Sequence, residues 1–380
     1  MAKYCIGTFN KISPLGLDRF GENYEFTEDQ EKANAFIVRS YKMHEMEFSR
    51  ELLAIGRAGA GVNNIPVDRC SEEGIVVFNA PGANSNAVKE LVLASMIMGA
   101  RNIYEGVTWA NTLEGDVAAE VETGKKQFAG SEIFGKTLGI VGIGQIGYKV
   151  ANAAYALGMN IVGMSAVVHP GLNVPCEIYD TIEEMAPQCD YITVHVPSLP
   201  ETKGMINKEL IASMKDGVVL INCARPDLIV EDDILEAVKS GKIKKYITDL
   251  PSEKLIRQEN IITIPHLGAS TSEAEDNCAV MVAEQVKDFF ENGNIKNSVN
   301  FPPIEVEHIP GTNRVSFLFR NESNVRDSIM ARIDKEQIVK LVGKEGRFGY
   351  GAAIAVLKED TDIKPLLELE GGRILRVRAL

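Results

Sequence analysis

A chain of 380 residues, 45% of them apolar, has enough material for two or three domains with buried cores. Its 53 acidic against 40 basic side chains leave a formal charge of −13, which excludes a general binder of nucleic-acid phosphates and means that an anionic ligand must meet a locally basic cleft. The cysteines (Cys5, Cys70, Cys176, Cys189, Cys223, Cys278) form no C-x-x-C pair and the histidines show no ligand spacing, so neither a disulfide framework nor a metal site is expected. The opening MAKYCIGTFN lacks the basic stretch and apolar run of a secretory leader, and no segment reaches the ~18 apolar residues of a membrane span. The expected setting is cytoplasmic, without membrane or nucleic-acid partners.

In the first 80 or so residues, short β-rich runs such as AFIVRS (35–40) and IVVFNAP (75–81) alternate with polar, helix-compatible stretches. From Thr137 the alternation becomes regular. Thr137–Gly142 reads as a buried strand and Gln145–Leu157 as a helix whose apolar face carries Ile146, Val150, Ala153, Ala154 and Leu157. Further strands are predicted at Asn160–Met164, Tyr191–Val194, Val218–Asn222, Lys245–Thr248 and Ile261–Ile264. Strands alternating with helices imply a parallel, doubly wound sheet, because each crossover helix must cover a face. Ser272–Asn292 reads as one long helix, apolar at Ala279, Val282, Val286 and Phe289, that returns the chain to the first domain. The stretch NFPPIEVEHIPGTN (300–313) concentrates Pro302, Pro303, Pro310 and Gly311, which break both helix and strand, and reads as a linker. Beyond it, strand Arg314–Phe319, helix Asn324–Ile333, strands Ile338–Val342 and Ala352–Leu357, helix Thr361–Leu369 and strand Ile374–Val377 form a βαββαβ unit.

The segment TLGIVGIGQIG sets Gly142, Gly144 and Gly147 in G-x-G-x-x-G spacing, directly after a strand and before a helix. That context suits a dinucleotide: a tight turn, close backbone approach to a pyrophosphate, and close helix–strand packing with the helix N-terminus facing the anion. The acid that holds the ribose hydroxyls is expected about 20 residues on, at the end of the next strand. Here Ser165 stands at that place, and His169 is the single nearby candidate cation. NAD is the expected cofactor, with NADP left open.

Three polar residues follow the last strands: Arg225 in VVLINCARPD, Glu253 in TDLPSEK and His266 in ITIPHLGAST. In an open parallel sheet the C-terminal strand edge is where ligands bind, so a cation, an acid and an imidazole there suit one cleft. These motifs, with RAGAGVNNIPVD (57–68), NAPGANSNAVKELV (79–92), HVPSLPETKGMIN (195–207) and IPHLGASTSEAEDNCAV (264–280), resemble those of the D-2-hydroxyacid dehydrogenases over roughly residues 1–300. Within that family the short D-3-phosphoglycerate dehydrogenases with a C-terminal ACT-like domain look most similar.

The resemblance implies an α/β fold with two doubly wound parallel-sheet domains, a Rossmann-type cofactor domain and a flavodoxin-like substrate domain, followed by the ferredoxin-like βαββαβ domain. The expected division is a discontinuous substrate-binding domain (1–84 and 270–300), a dinucleotide-binding domain (85–269), a linker (301–311) and an ACT-like domain (312–380). It implies catalysis by Arg225, Glu253 and His266, with Glu259 competing for the acid's role because the TDLPSEK loop is shorter than usual. The common Arg-Gly-Gly turn is also replaced by ARPD. It further implies cofactor contacts from Gly142, Gly144, Gln145, Ile146, Gly147, Ser165, His195, Pro197, Thr202, Cys223, Ala224, Asp249 and Gly268. Substrate contacts are implied for Arg39, Ser40, Ala60, Gly61 and Asn84, and for Lys126 from a partner subunit. Chemically, His266 suits proton transfer at a hydroxyl, a neighbouring Glu253 would favour its charged form, and the planar Arg225 suits a carboxylate.

The expected function is oxidation of D-3-phosphoglycerate with NAD in L-serine biosynthesis. The alternatives are an NADP-dependent glyoxylate or hydroxypyruvate reductase, and a non-catalytic protein that senses nicotinamide redox state. The expected partner is a small anionic 2-hydroxy acid, and a homodimer or higher homo-oligomer is expected. In the C-terminal unit the turn RNESNVRD (320–327) lacks the effector-pocket glycine, which favours dimerisation over effector binding.

Overall fold

In the computed structural model, residues 4–322 and 324–380 are described. Residues 1–3 of the opening decapeptide, and Ser323 within the 320–327 turn, lie outside the described residues. The chain divides into two units, Met1–Asn84 with Ser272–Leu380, and Ser85–Thr271.

In the first unit, the strands β1 (Tyr4–Phe9), β2 (Tyr24–Phe26), β3 (Ala35–Val38), β4 (Ala54–Arg57) and β5 (Val76–Phe78) form a sheet in the order β2-β1-β3-β4-β5. Every pairing is parallel, which is the flavodoxin-like arrangement. Such a sheet must be covered on both faces, which is why β3 is buried at all four positions. One face, with Ile6, Ile37, Ala54 and Phe78, packs on Val282, Val286, Phe289 and Phe290 of the helix Ser272–Asn292. The other, with Phe36, Val38, Ile55 and Val77, packs on Met43, Leu52, Ile65 and Cys70.

The second unit carries β6 (Thr137–Val141), β7 (Asn160–Met164), β8 (Glu177–Tyr179), β9 (Tyr191–Val194), β10 (Val218–Asn222), β11 (Ile243–Thr248) and β12 (Ile261–Thr263). Their order, β12-β11-β10-β9-β6-β7-β8, reverses direction beside β6, the switch point of a dinucleotide-binding sheet. The helix after β6 runs Gly147–Ala156 and buries Val150, Ala151 and Ala154. Its apolar face departs from the sequence reading: Leu157 caps the helix and is 44% exposed, while Ala151 takes the inward place. The helix starts later than expected because the glycine loop extends through Ile146, while Ile146, Val150 and Ala154 keep the inward places read from the sequence.

The C-terminal strands β13 (Thr312–Arg320), β14 (Ile338–Glu345), β15 (Tyr350–Lys358) and β16 (Ile374–Ala379) form an antiparallel sheet in the order β14-β15-β13-β16. One face (Phe317, Phe319, Ala353, Ala355) packs on Val325, Ile329 and Leu366 of its own helices. The other (Leu318, Ala352, Ile354, Val356) joins the core of the first unit. The stretch read as a linker, 301–311, is packed and not free. Phe301, Ile304 and Val306 are buried, and Ile304 exchanges backbone hydrogen bonds with Ile295 (2.8 and 3.1 Å). Its prolines end regular structure without detaching the chain. Arg378 of β16 lies over the Phe289 ring (4.6 Å) and donates to the Phe290 carbonyl (3.1 Å), supplying a cation to a helix end whose last turn has none.

The helix Ser272–Asn292 is therefore the keystone of its unit. Replacing Phe289, 1% exposed, by Ala is expected to cost about 3–5 kcal/mol of unfolding free energy in denaturant titration; a loss below about 1 kcal/mol would contradict this packing.

Candidate active site

The C-terminal edge of the second sheet collects the chemistry. After β6 the chain turns at Gly142 (φ +95°), whose N–H donates to Met164 O (2.8 Å). A Cβ on Gly147 would meet Gly142 O at 2.1 Å, so no larger residue lets the helix start so near the strand. Gly144 and Gln145 are exposed, Ile146 is half-buried, and a Cβ on Gly144 would meet no atom within 4 Å. The loop thus offers open backbone at a helix N-terminus, where a pyrophosphate fits.

The next strand ends supply a second group. After β7, the Ser165 hydroxyl accepts the Ile143 N–H (3.0 Å) and donates to Val167 O (2.7 Å), so it braces the glycine loop. After β9, the His195 N–H donates to Val141 O (2.7 Å) and its Nε2 lies 3.1 Å from the Thr193 hydroxyl. Burial pushes the His195 imidazole down to about 4, and its buried Nδ1 has no partner among the described residues. Thr202 builds the following turn by donating to Pro197 O (2.7 Å) and accepting from Leu199 N (2.8 Å).

β10, β11 and β12 are neighbours, and Asn222, Thr248 and Thr263 stand side by side at their ends. At about 4.8 Å per strand, the loops carrying Arg225 and His266 leave the sheet roughly 10 Å apart. A buried polar chain ties them together. Asn222, fully buried, accepts from Ala224 N (3.1 Å) and donates to Arg225 O (2.9 Å). Thr248 donates to Asn222 O (2.7 Å). Asp249, 2% exposed, accepts the Gly268 N–H on Oδ2 (2.9 Å), and its backbone carbonyl accepts the His266 N–H (2.9 Å). His266 is held in the left-handed region (φ +48°), a strain of about 1–3 kcal/mol, with its side chain exposed. The other Asp249 oxygen, Oδ1, is buried with no partner among the described residues. An unpaired buried acceptor is costly, and an amide N–H of a nicotinamide would satisfy it. Cys223 packs alongside; burial, with Asp249 adding to it, pushes the thiol up to about 12. Ala224 is half-buried.

Arg225 is exposed and its Nη1 donates to Ala224 O (2.6 Å). In place of an Arg-Gly-Gly turn, Pro226–Leu228 forms a 3₁₀ turn whose Asp227 carboxylate accepts the Ser198 hydroxyl. Glu253 and Glu259 are both exposed, and among the described residues no hydrogen bond or ion pair joins either to His266. The loop between them is anchored by Leu255, 1% exposed.

In the first unit, Arg39 follows β3 and pairs with Glu275 (2.6 Å) of the returning helix. Asn10 fixes the adjacent backbone by accepting from Ser40 N (2.9 Å) and Tyr41 N (2.8 Å). The Ala58–Gly61 turn is held by the Asn79 amide on Ala60 O (2.7 Å), leaving Ala60, Gly61 and Asn84 half-buried. Sequence reading passed over Arg57 at the end of β4, whose guanidinium fills the space beside Gly59. Burial pushes the Cys278 thiol up to about 11 while Arg57 and Arg39 oppose it, so both cations share one corner. Sequence reading also passed over Asn222 and Thr248; the available signal was a polar residue closing the strand, which is otherwise apolar in β10 but carries Lys244 and Lys245 in β11.

Comparison with known proteins identifies the family. Residues 93–268 match the D-isomer specific 2-hydroxyacid dehydrogenase family, NAD binding domain. The D-3-phosphoglycerate dehydrogenase of Methanocaldococcus jannaschii is 38% identical over 296 residues, covering 75% of this chain and 55% of that one. The human protein of the same name is 34% identical over 274 residues, covering 70% and 49%. The chain thus spans about half the length of the curated relatives it matches. The crystal structure of NAD+-bound 3-phosphoglycerate dehydrogenase from Entamoeba histolytica superposes with TM-score 0.62 at 30% identity, covering 79% of this chain and 99% of that one. An NADPH-dependent glyoxylate/hydroxypyruvate reductase from Sinorhizobium meliloti shares the fold, with TM-score 0.68 at 22% identity over 78% and 97%.

The depressed His195 pKa has a consequence for stability. Between its ordinary value of 6.5 and about 4 the unfolded chain takes up a proton that the folded chain refuses, so stability present above pH 6.5 is lost as pH falls, by up to roughly 3 kcal/mol. Replacing His195 by Asn should flatten that acid slope, and an NMR titration placing His195 near 6.5 would contradict its burial.

Proposed function

Because the chain belongs to the D-isomer specific 2-hydroxyacid dehydrogenase family, we propose that it oxidises D-3-phosphoglycerate to 3-phosphohydroxypyruvate with NAD, the entry step of L-serine biosynthesis. The observation that carries this reading is the buried chain Asn222–Thr248–Asp249, which fixes the backbones of the exposed Arg225 and the exposed His266 beyond the ends of β10 and β12, on either side of β11. When bound, the nicotinamide ring supplies the acceptor for the hydride leaving C2 of the hydroxy acid. Asp249 Oδ1, buried without a partner among the described residues, would accept the carboxamide N–H of that group. His266 takes the hydroxyl proton as the carbonyl forms, and returns it in the reverse direction. Arg225 swings from Ala224 O to hold the substrate carboxylate with both arms of its fork. Glu253 is the proposed partner of the imidazolium, because catalytic hydrogen bonds that are open in a ligand-free site close when substrate binds.

Within the first unit, Arg39 and Arg57 are the proposed phosphate-binding cations, with Ser40, Asn84 and the Ala60–Gly61 backbone as proposed hydrogen-bonding groups. Two cations in one corner suit a dianion better than an unphosphorylated hydroxy acid. The reading extends to a cytoplasmic homo-oligomer. All six thiols are free, as a reducing compartment keeps them, and Ile103, Tyr104, Val107 and Phe134 of the second unit are exposed apolar side chains. Among the described residues no helix is long and apolar enough to cross a membrane. The βαββαβ sheet, with β14 and β16 at its edges, is proposed as an ACT-like dimerisation module.

Steady-state assays test this directly. D-3-phosphoglycerate should turn over with NAD, and His266→Ala should lower kcat by about 10²–10⁴-fold. Brisk use of an unphosphorylated 2-hydroxy acid with no turnover of phosphoglycerate would sink the substrate assignment.

A further inference from the structure

The ribose end of the cofactor site is built without the acid that such sheets usually place there. The Ser165 hydroxyl proton is spent on Val167 O, and the segment 165–176 contains no Asp, Glu, Lys or Arg. A carboxylate at that position does two things: it accepts the ribose hydroxyls, and it repels a 2′-phosphate. Both effects are missing here.

A different group occupies the same corner. The His169 N–H donates to Ile143 O (2.9 Å), which fixes the residue against the glycine loop. The His169 ring stacks on Tyr148, the residue after Gly147, with centroids 4.0 Å apart and planes 5° from parallel. Gly171 N donates to His169 Nδ1 (3.0 Å), so that nitrogen carries a lone pair and the ring proton sits on Nε2. Asn152 of the helix locks the loop by donating to Gly171 O (2.9 Å) and accepting from Asn173 N (3.2 Å). Lys149 Nζ lies 5.9 Å from the Tyr148 ring centroid and adds a cation. The result is a preorganised N–H donor at the loop that receives the dinucleotide.

We infer that His169, held on Tyr148, is the residue that reads the cofactor's ribose, and that it admits a 2′-phosphate, so that the protein binds and uses NADP as well as NAD. This rests on the proposed nicotinamide-dependent function and adds the determinant of cofactor choice.

Calorimetry with AMP and adenosine 2′,5′-bisphosphate, which differ only at the 2′ position, isolates the ribose end without any turnover. The native protein should bind the bisphosphate within about tenfold of AMP. His169→Asn keeps an acceptor for Gly171 N but loses Nε2–H; it should weaken the bisphosphate about tenfold or more while AMP shifts less than about threefold. Ser165→Asp should restore a preference for AMP. Discrimination against the bisphosphate beyond about tenfold in the native protein, or an equal loss of both nucleotides in His169→Asn, overturns the inference and leaves the NAD reading intact. Failure of both nucleotides to bind the native protein defeats that reading, and this inference with it.

Discussion

The buried carboxylate of Asp249 is the constraint on which the catalytic edge depends. Taking a charge out of water is tolerated only when its oxygens are occupied, and here one oxygen is met by the Gly268 N–H while the other is unmet among the described residues. The first contact, with the backbone bond to His266, shapes the turn that lifts the imidazole into solvent in a left-handed conformation. The second oxygen remains available to a ligand. One residue thus builds the site and leaves part of it open, which accounts for strain being kept at this position.

Exposed functional groups on buried clamps recur through the molecule. Arg225 is exposed, yet its backbone is gripped by Asn222, and Thr248 joins that grip to the Asp249 turn. In the first unit Asn10 and Asn79 fix the loops bearing Ser40 and Ala60 in the same manner, while Glu275 holds Arg39. In each case a short polar side chain at a strand or loop end satisfies backbone groups that would otherwise need water. This arrangement keeps loops rigid without burying the polar groups they carry. In a chain of net charge −13, basic groups nevertheless gather locally at the ends of β3 and β4.

How much of this was legible in the sequence follows from what each signal measures. Strands buried on both faces are continuous apolar runs, so β7, β9 and β10 could be bounded to the residue, and G-x-G-x-x-G located the loop at the switch point. The face of the helix Gly147–Ala156 was less legible, because Ala151 and Leu157 compete for burial and only tertiary packing decides between them. The prolines of 301–311 announced broken secondary structure but not that Phe301, Ile304 and Val306 would pack into a core. Side-chain pairings across sequence, such as Arg39 with Glu275 or Thr248 with Asn222, leave no periodic trace. The same limit explains Glu253: its loop and exposure are set by local turn chemistry, whereas a partnership with His266 requires three-dimensional closure.

The account stands most directly on the free oxygen of Asp249. Asp249→Asn retains an acceptor for Gly268 N–H and turns the open acceptor into a donor, so binding of NADH and of ADP-ribose, which lacks the nicotinamide, separates the two duties of the residue. The expected result is NADH weakened about tenfold or more with ADP-ribose changed less than about twofold. Equal weakening of both ligands would show that Asp249 only supports the turn, and would contradict the central claim.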